Sequence, residues 1–215
     1  SYYNFWFLPQ NMLEYCDKYL TMEKATAEEK QLFKTTFLKL IKISLWNTKG
    51  EQFLSKNPPH TGHIRQILEM FPHAKFIYLV RNPYTVFEST RSFFCNTIQP
   101  LKLQHISDEE LENNILEVYK RLYRRYEQDK QLIPAGNLIE IKFEDYEKDA
   151  LAITEKIYKT LSLPGFENAK ADIARYLDKK KGYKKNAYKY EDRTIELVEK
   201  NWDFALKQWG YERLG

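Results

Sequence analysis

The run Lys75-Phe76-Ile77-Tyr78-Leu79-Val80-Arg81-Asn82-Pro83, continuing to Ser89, sets an arginine and a serine where a strand hands over to a helix. That arrangement suits the gripping of a phosphate. Ligands of open α/β sheets collect beyond the carboxyl ends of the strands, and a helix start offers free N–H donors and a positive dipole end to an anion. The apolar run predicts a buried strand, with Asn82 as N-cap and Pro83 as first helical residue. Ser89 then falls about two turns into the helix, on roughly the face of Asn82 and Val86, where its hydroxyl could join the Arg81 guanidinium on one anion. An ordinary strand-end arginine and a surface serine would share this spacing, which leaves both readings open.

The elements that must position these residues follow from periodicity and capping. Thr26-Ala27-Glu28-Glu29 has the form of a capping box, and Phe33, Phe37, Leu40 and Ile41 recur at helical spacing, predicting an amphipathic helix to about Trp46. Glu51 to Lys56 reads as a short strand and Thr61 to Phe71 as a helix, which with the strand over 75–80 makes a parallel βαβ unit. A second capping box, Ser107 to Glu110, opens a long helix that ends before Pro134 and Gly136. A further strand is expected over Leu138 to Phe143. Helices follow over about 149–161, 168–177 and 194–209, the last with Ile195, Val198, Trp202 and Trp209 inward and Gly210 as its cap. This is an α/β class protein, a sheet covered by helices, with a helical lobe over 1–50 and an α/β core with C-terminal helices over 51–215.

Composition narrows the function classes. At 215 residues one sizeable domain is the default. A net charge of +4, with acidic residues nearly matching basic ones, does not demand a nucleic-acid partner, and a small anionic ligand suffices. No uncharged apolar run reaches bilayer-spanning length. Cys16 and Cys95 suggest neither a disulfide framework nor a metal site, and they fit a reducing compartment, so a cytoplasmic location is expected. His60 and His63 have the spacing of a metal pair and lack a third ligand nearby.

Two blocks together resemble the bacterial-type family of sulfotransferases that use 3′-phosphoadenosine 5′-phosphosulfate (PAPS). The first is Leu54-Ser55-Lys56-Asn57-Pro58-Pro59-His60-Thr61-Gly62-His63-Ile64 with residues 68–77 and Arg81-Asn82-Pro83. The second is Phe143-Glu144-Asp145-Tyr146 with Asp149, Ile157-Tyr158 and residues 161–164. The resemblance implies a P-loop-NTPase-like parallel sheet flanked by helices, one sulfotransferase domain over 1–215, PAPS as co-substrate and no metal. It implies that Arg81 and Ser89 bind the nucleotide's 3′-phosphate, for which a guanidinium fork and a hydroxyl are chemically apt. A basic, glycine-containing loop closes over the same phosphate in the family, and Lys179 to Lys185, with Lys181 and Gly182 as contacts, is the candidate here. A solvated lysine-rich turn would read the same. Lys56 and His60 stand about where a catalytic lysine and histidine stand in cytosolic relatives, and a base beside a cation suits sulfuryl transfer. His60 also reads as a simple turn histidine, and many members of the family use a carboxylate as the base instead. The acceptor is expected to be a small molecule, glycan or lipid bearing a hydroxyl or an amine.

One departure is plain. The family's glycine-containing 5′-phosphosulfate loop has no counterpart among the seven glycines, so the domain is expected to be incomplete and this chain alone inactive, with the loop in a preceding segment. The competing expectation is a non-catalytic nucleotide-binding or interaction protein on a degenerate sulfotransferase fold. A P-loop kinase is disfavoured, because no Gly-Lys-Ser or Gly-Lys-Thr occurs to hold a triphosphate.

Overall fold

A computed structural model describes residues 4–180, 182 and 188–215. In chain order these form α1 (Asn4–Phe7), α2 (Met12–Tyr15), α3 (Ala27–Thr48), α4 (Ile64–Met70), β1 (Phe76–Val80) and α5 (Pro83–Ser92). Then come α6 (Asp108–Asp129), β2 (Leu138–Lys142), α7 (Phe143–Lys148), α8 (Ala150–Thr160), α9 (Phe166–Lys179) and α10 (Asp192–Trp209). Two compact units result, one reaching to Ala74 and resuming over Pro100–Ile133, the other covering Lys75–Gln99 and Pro134 onward. Among the described residues no helix is long and apolar enough to cross a membrane.

The first unit is helical. α3 starts where the capping box places it: Thr26 accepts from the Glu29 amide, and the Glu29 carboxylate accepts from the Thr26 amide. Its apolar residues are less buried than the helical spacing predicts. Ile41 is buried and Phe33 and Phe37 half-buried, while Leu40 stays 55% exposed and Trp46 84% exposed. α6 buries Leu111, Ile115, Leu116, Tyr123 and Tyr126, and also carries the buried Asp129, held by Arg125 (2.7 Å) and Arg65 (3.3 Å). A π-helical turn, Cys16–Leu20, follows α2, and a 3₁₀ turn, Pro58–Gly62, precedes α4.

The strand expected over Glu51 to Lys56 is absent: residues 52–57 have no regular structure, and the helix expected from Thr61 begins at Ile64. A strand persists only where its backbone finds a ladder partner, and this segment runs into Pro58 and Pro59, which lack the N–H donors that would extend one. The parallel pair is instead β1 with β2, in the register Phe76↔Leu138 to Val80↔Lys142.

That two-stranded sheet organises the second unit. In-register residues share a face, so Ile77, Leu79, Ile139 and Ile141 point one way and Tyr78 and Glu140 the other. Ile139 and Ile141 are buried against Leu161, with Ile153 and Ile157 of α8 packed around them. On the other face Tyr78 meets Trp209 of α10 with ring centroids 6.1 Å apart. α10 also covers α5: Phe87 and Trp202, both fully buried, meet edge to face at 5.9 Å, and Tyr84 donates to Glu199 at 2.8 Å. Val198 and Trp202 are buried as expected, Ile195 and Trp209 only partly. Gly210 ends the helix in the left-handed conformation (φ 59°), as its capping role requires.

Candidate functional site

In the second unit the strand-to-helix handover forms as the sequence predicts, but β1 is not the buried strand expected: Val80 is buried while Ile77 and Leu79 are 43% and 52% exposed. Asn82 caps α5 by accepting from the Tyr84 amide at 3.0 Å, and Pro83 occupies the first turn, where a missing N–H costs nothing. Arg81 follows the last residue of β1, and Lys142 lies beside it in register with Val80. Two cations therefore stand at the carboxyl end of the parallel pair.

The Arg81 guanidinium lies 4.7 Å from the centroid of Phe143. Such a ring engages the cation and leaves its N–H fork unused. Neither Arg81 nor Ser89 makes a side-chain hydrogen bond or ion pair among the described residues. Glu144 ties the turn to its surroundings. One of its carboxylate oxygens accepts from the Asn82 amide at 2.9 Å and the other from the Tyr211 hydroxyl at 2.7 Å, so α7 and the chain end brace the residue next to Arg81. Sequence reading valued Glu144 only as part of a pattern, since such a contact depends on which strand neighbours β1.

In the first unit Lys56 is exposed, with no ion-pair partner among the described residues. His60 is half-buried at the centre of a polar chain. Its Nε2 lies 3.0 Å from Ser55 Oγ and its Nδ1 lies 3.4 Å from His63 Nδ1, while His63 Nε2 lies 2.8 Å from the Tyr19 carbonyl oxygen. The 3₁₀ turn creates this contact, because residues three apart eclipse one another in that geometry. Phe37 and Phe33 wall the two rings, with centroids 5.0 Å from His60 and 4.8 Å from His63. Burial holds the His60 imidazole below its usual range and pushes His63 down to about 4, although its bond to the Tyr19 carbonyl opposes that shift. His63 is therefore neutral at pH 7, and the same burial favours the neutral form of His60.

Gly62 permits the arrangement. A Cβ there would lie 1.9 Å from the Leu20 carbonyl oxygen, so only glycine lets the 58–62 turn approach the chain that carries Tyr19. Sequence reasoning missed Ser55, Gly62 and His63 as working parts of this site. The available signal was His-x-x-His directly after Pro-Pro, a sequence that favours a tight turn and hence eclipsed side chains.

Of the proposed phosphate clamp, Lys181 lies outside the described residues, while Gly182 takes a φ of +98°, a backbone region that favours glycine. Among the described residues no group of three His, Cys, Asp or Glu could hold a metal ion.

Residues 8–168 match the model of the sulfotransferase family. The chain belongs to the sulfotransferase family. It is similar to two curated relatives, the omega-hydroxy-beta-dihydromenaquinone-9 sulfotransferases Stf3 of Mycobacterium bovis and Mycobacterium tuberculosis. Each is 27% identical over 197 residues, which cover 92% of this chain and 50% of the relative. The chain thus spans about half the length of the curated relatives it matches. No solved structure gives a significant match to it.

Proposed function

We propose that this sulfotransferase-family chain supplies the 3′-phosphate grip and the base for transfer of a sulfuryl group from PAPS to a hydroxyl, on a P-loop-NTPase-like sheet. The observation that carries the reading is Arg81, standing between β1 and the capped start of α5, with Ser89 two turns into that helix, neither side chain having a hydrogen-bond partner among the described residues. A guanidinium fork and a hydroxyl there match the oxygens of a ribose-bound phosphate. Lys181 and Gly182 would close over the same group.

In this reading His60 takes the proton of the acceptor hydroxyl as its oxygen bonds to sulfur. The sulfur–oxygen bond to the nucleotide breaks, its electron pair leaves on the 5′-phosphate, and Lys56 offsets negative charge on the transferring group. The relatives are named for a hydroxylated menaquinone, which supports a hydroxyl acceptor here.

Titration of the chain with 3′-phosphoadenosine 5′-phosphate, with and without Arg81→Ala, tests the reading. Loss of a charge-assisted fork should weaken binding roughly 10- to 100-fold. Equal affinity in the two proteins would refute it.

A further inference from the structure

The polar chain in the first unit determines where two protons sit. His63 Nε2 lies 2.8 Å from the Tyr19 carbonyl oxygen, which can only accept, so Nε2 carries that ring's proton. Neutral His63 then has a bare Nδ1. His60 Nδ1 faces it at 3.4 Å, and two bare nitrogens would repel, so His60 Nδ1 carries the second proton. His60 Nε2 is left as a lone pair, 3.0 Å from the Ser55 hydroxyl, which donates to it. None of the three side chains makes another hydrogen bond among the described residues that would support a different assignment.

Burial grades along the chain. Ser55 is exposed, His60 half-buried, and His63 only 3% exposed. The inner end is anchored in the protein while the basic nitrogen points outward to a hydroxyl.

We propose that His63 is a positioning residue that, through its bond to the Tyr19 carbonyl, holds His60 in the Nδ1–H tautomer and so presents His60 Nε2 as a preformed base toward a hydroxyl group. Gly62 belongs to the same device, because its close approach to Leu20 brings the Tyr19 carbonyl within reach of His63. The use of that base on an acceptor alcohol rests on the proposed function; the tautomer assignment does not. Proton uptake at Nε2 would make His60 a cation that still donates through Nδ1 to His63, so the second ring stabilises the charge without itself titrating.

Long-range ¹H–¹⁵N correlation of the ¹⁵N-histidine-labelled chain at pH 7.5 reads the tautomers directly. The four histidines give few enough ring signals to assign with His73→Gln and His105→Gln. The expected wild-type pattern is a protonated Nδ1 on His60 and a protonated Nε2 on His63. His63→Phe removes the acceptor and should move the His60 proton to Nε2. His63→Gln, whose amide can donate to Tyr19 and accept from His60, should restore the Nδ1–H form. A wild-type His60 protonated at Nε2, or a His60 tautomer unchanged in His63→Phe, would overturn the proposal. If His63→Phe does not fold, the wild-type and His63→Gln spectra still decide. The expected tautomers in a chain that fails to bind 3′-phosphoadenosine 5′-phosphate would refute the nucleotide reading and support this one.

Discussion

Gly62→Ala should damage the first unit far more than an ordinary glycine substitution, because the obstacle is backbone. The added Cβ would sit 1.9 Å from the Leu20 carbonyl oxygen and 2.8 Å from its carbonyl carbon, where real Cβ contacts are not found below 3.0 Å. The 58–62 turn and Leu20 must therefore separate by about 1 Å, at an overpacking cost on the order of 1–3 kcal/mol. Tyr19 and Leu20 are adjacent, so the same movement stretches the 2.8 Å contact between His63 and the Tyr19 carbonyl to about 3.8 Å, past hydrogen-bonding range. A buried imidazole N–H and a carbonyl left unpaired add a further ~1–3 kcal/mol. A loss of about 3 kcal/mol lowers the urea midpoint by about 1 M at an m-value near 3 kcal/mol/M. Amide exchange should locate the loosening at residues 19–21 and 58–67. Gly210→Ala is the comparison: its Cβ would meet only Lys142 Nζ at an ordinary 3.8 Å, so its cost is the left-handed backbone alone, about 1 kcal/mol. Equal midpoints for Gly62→Ala and wild type, with the His63 Nε2–H signal intact, would refute the close approach and the anchoring it explains.

Three further outcomes are expected. The depressed His63 pKa means that the unfolded chain binds the proton more readily than the folded one. The His63 contribution is therefore fully present above about pH 6.5 and is lost as pH drops toward about 4, by roughly 3 kcal/mol; urea midpoints across that range should show a shallower slope in His63→Gln, the remainder coming from groups such as His60. Asp129→Ala strands the nearly buried Arg125 and should cost about 3 kcal/mol, whereas Arg65→Ala, removing a half-exposed partner, should cost under about 1 kcal/mol by the same melts. Arg81→Lys keeps the charge and loses the fork, so its affinity for 3′-phosphoadenosine 5′-phosphate should fall about 10-fold, between wild type and Arg81→Ala in a calorimetric titration.

The local grammar of the chain was readable. The capping box at Thr26, the cap of Ser107 on Glu110, the Asn82-Pro83 helix start and the Gly210 cap all form, because each is decided within a few residues by groups that satisfy one another. What failed was non-local. The Glu51 to Lys56 strand had the length and a Phe53-Leu54 pair but no partner ladder, a property that belongs to the rest of the sheet and not to the segment. The exposure of Leu40 and Trp46 likewise depends on what lies across from α3. Among the residues proposed for the site, Arg81, Ser89 and His60 stand out in the sequence by residue type and position alone. The contacts of His63 and Glu144 need partners distant in sequence, and that of Ser55 with His60 needs the irregular segment before the 3₁₀ turn, none of which periodicity reports.

In the proposed function the end of β1 and the first turns of α5 recognise a phosphate on the ribose 3′ position. Calorimetric titration of the chain with 3′-phosphoadenosine 5′-phosphate against adenosine 5′-monophosphate tests it most directly. The Arg81 fork and the Ser89 hydroxyl predict a preference on the order of 100-fold for the bisphosphate. Equal affinity for the two nucleotides would show that Arg81 and Ser89 do not recognise the 3′-phosphate.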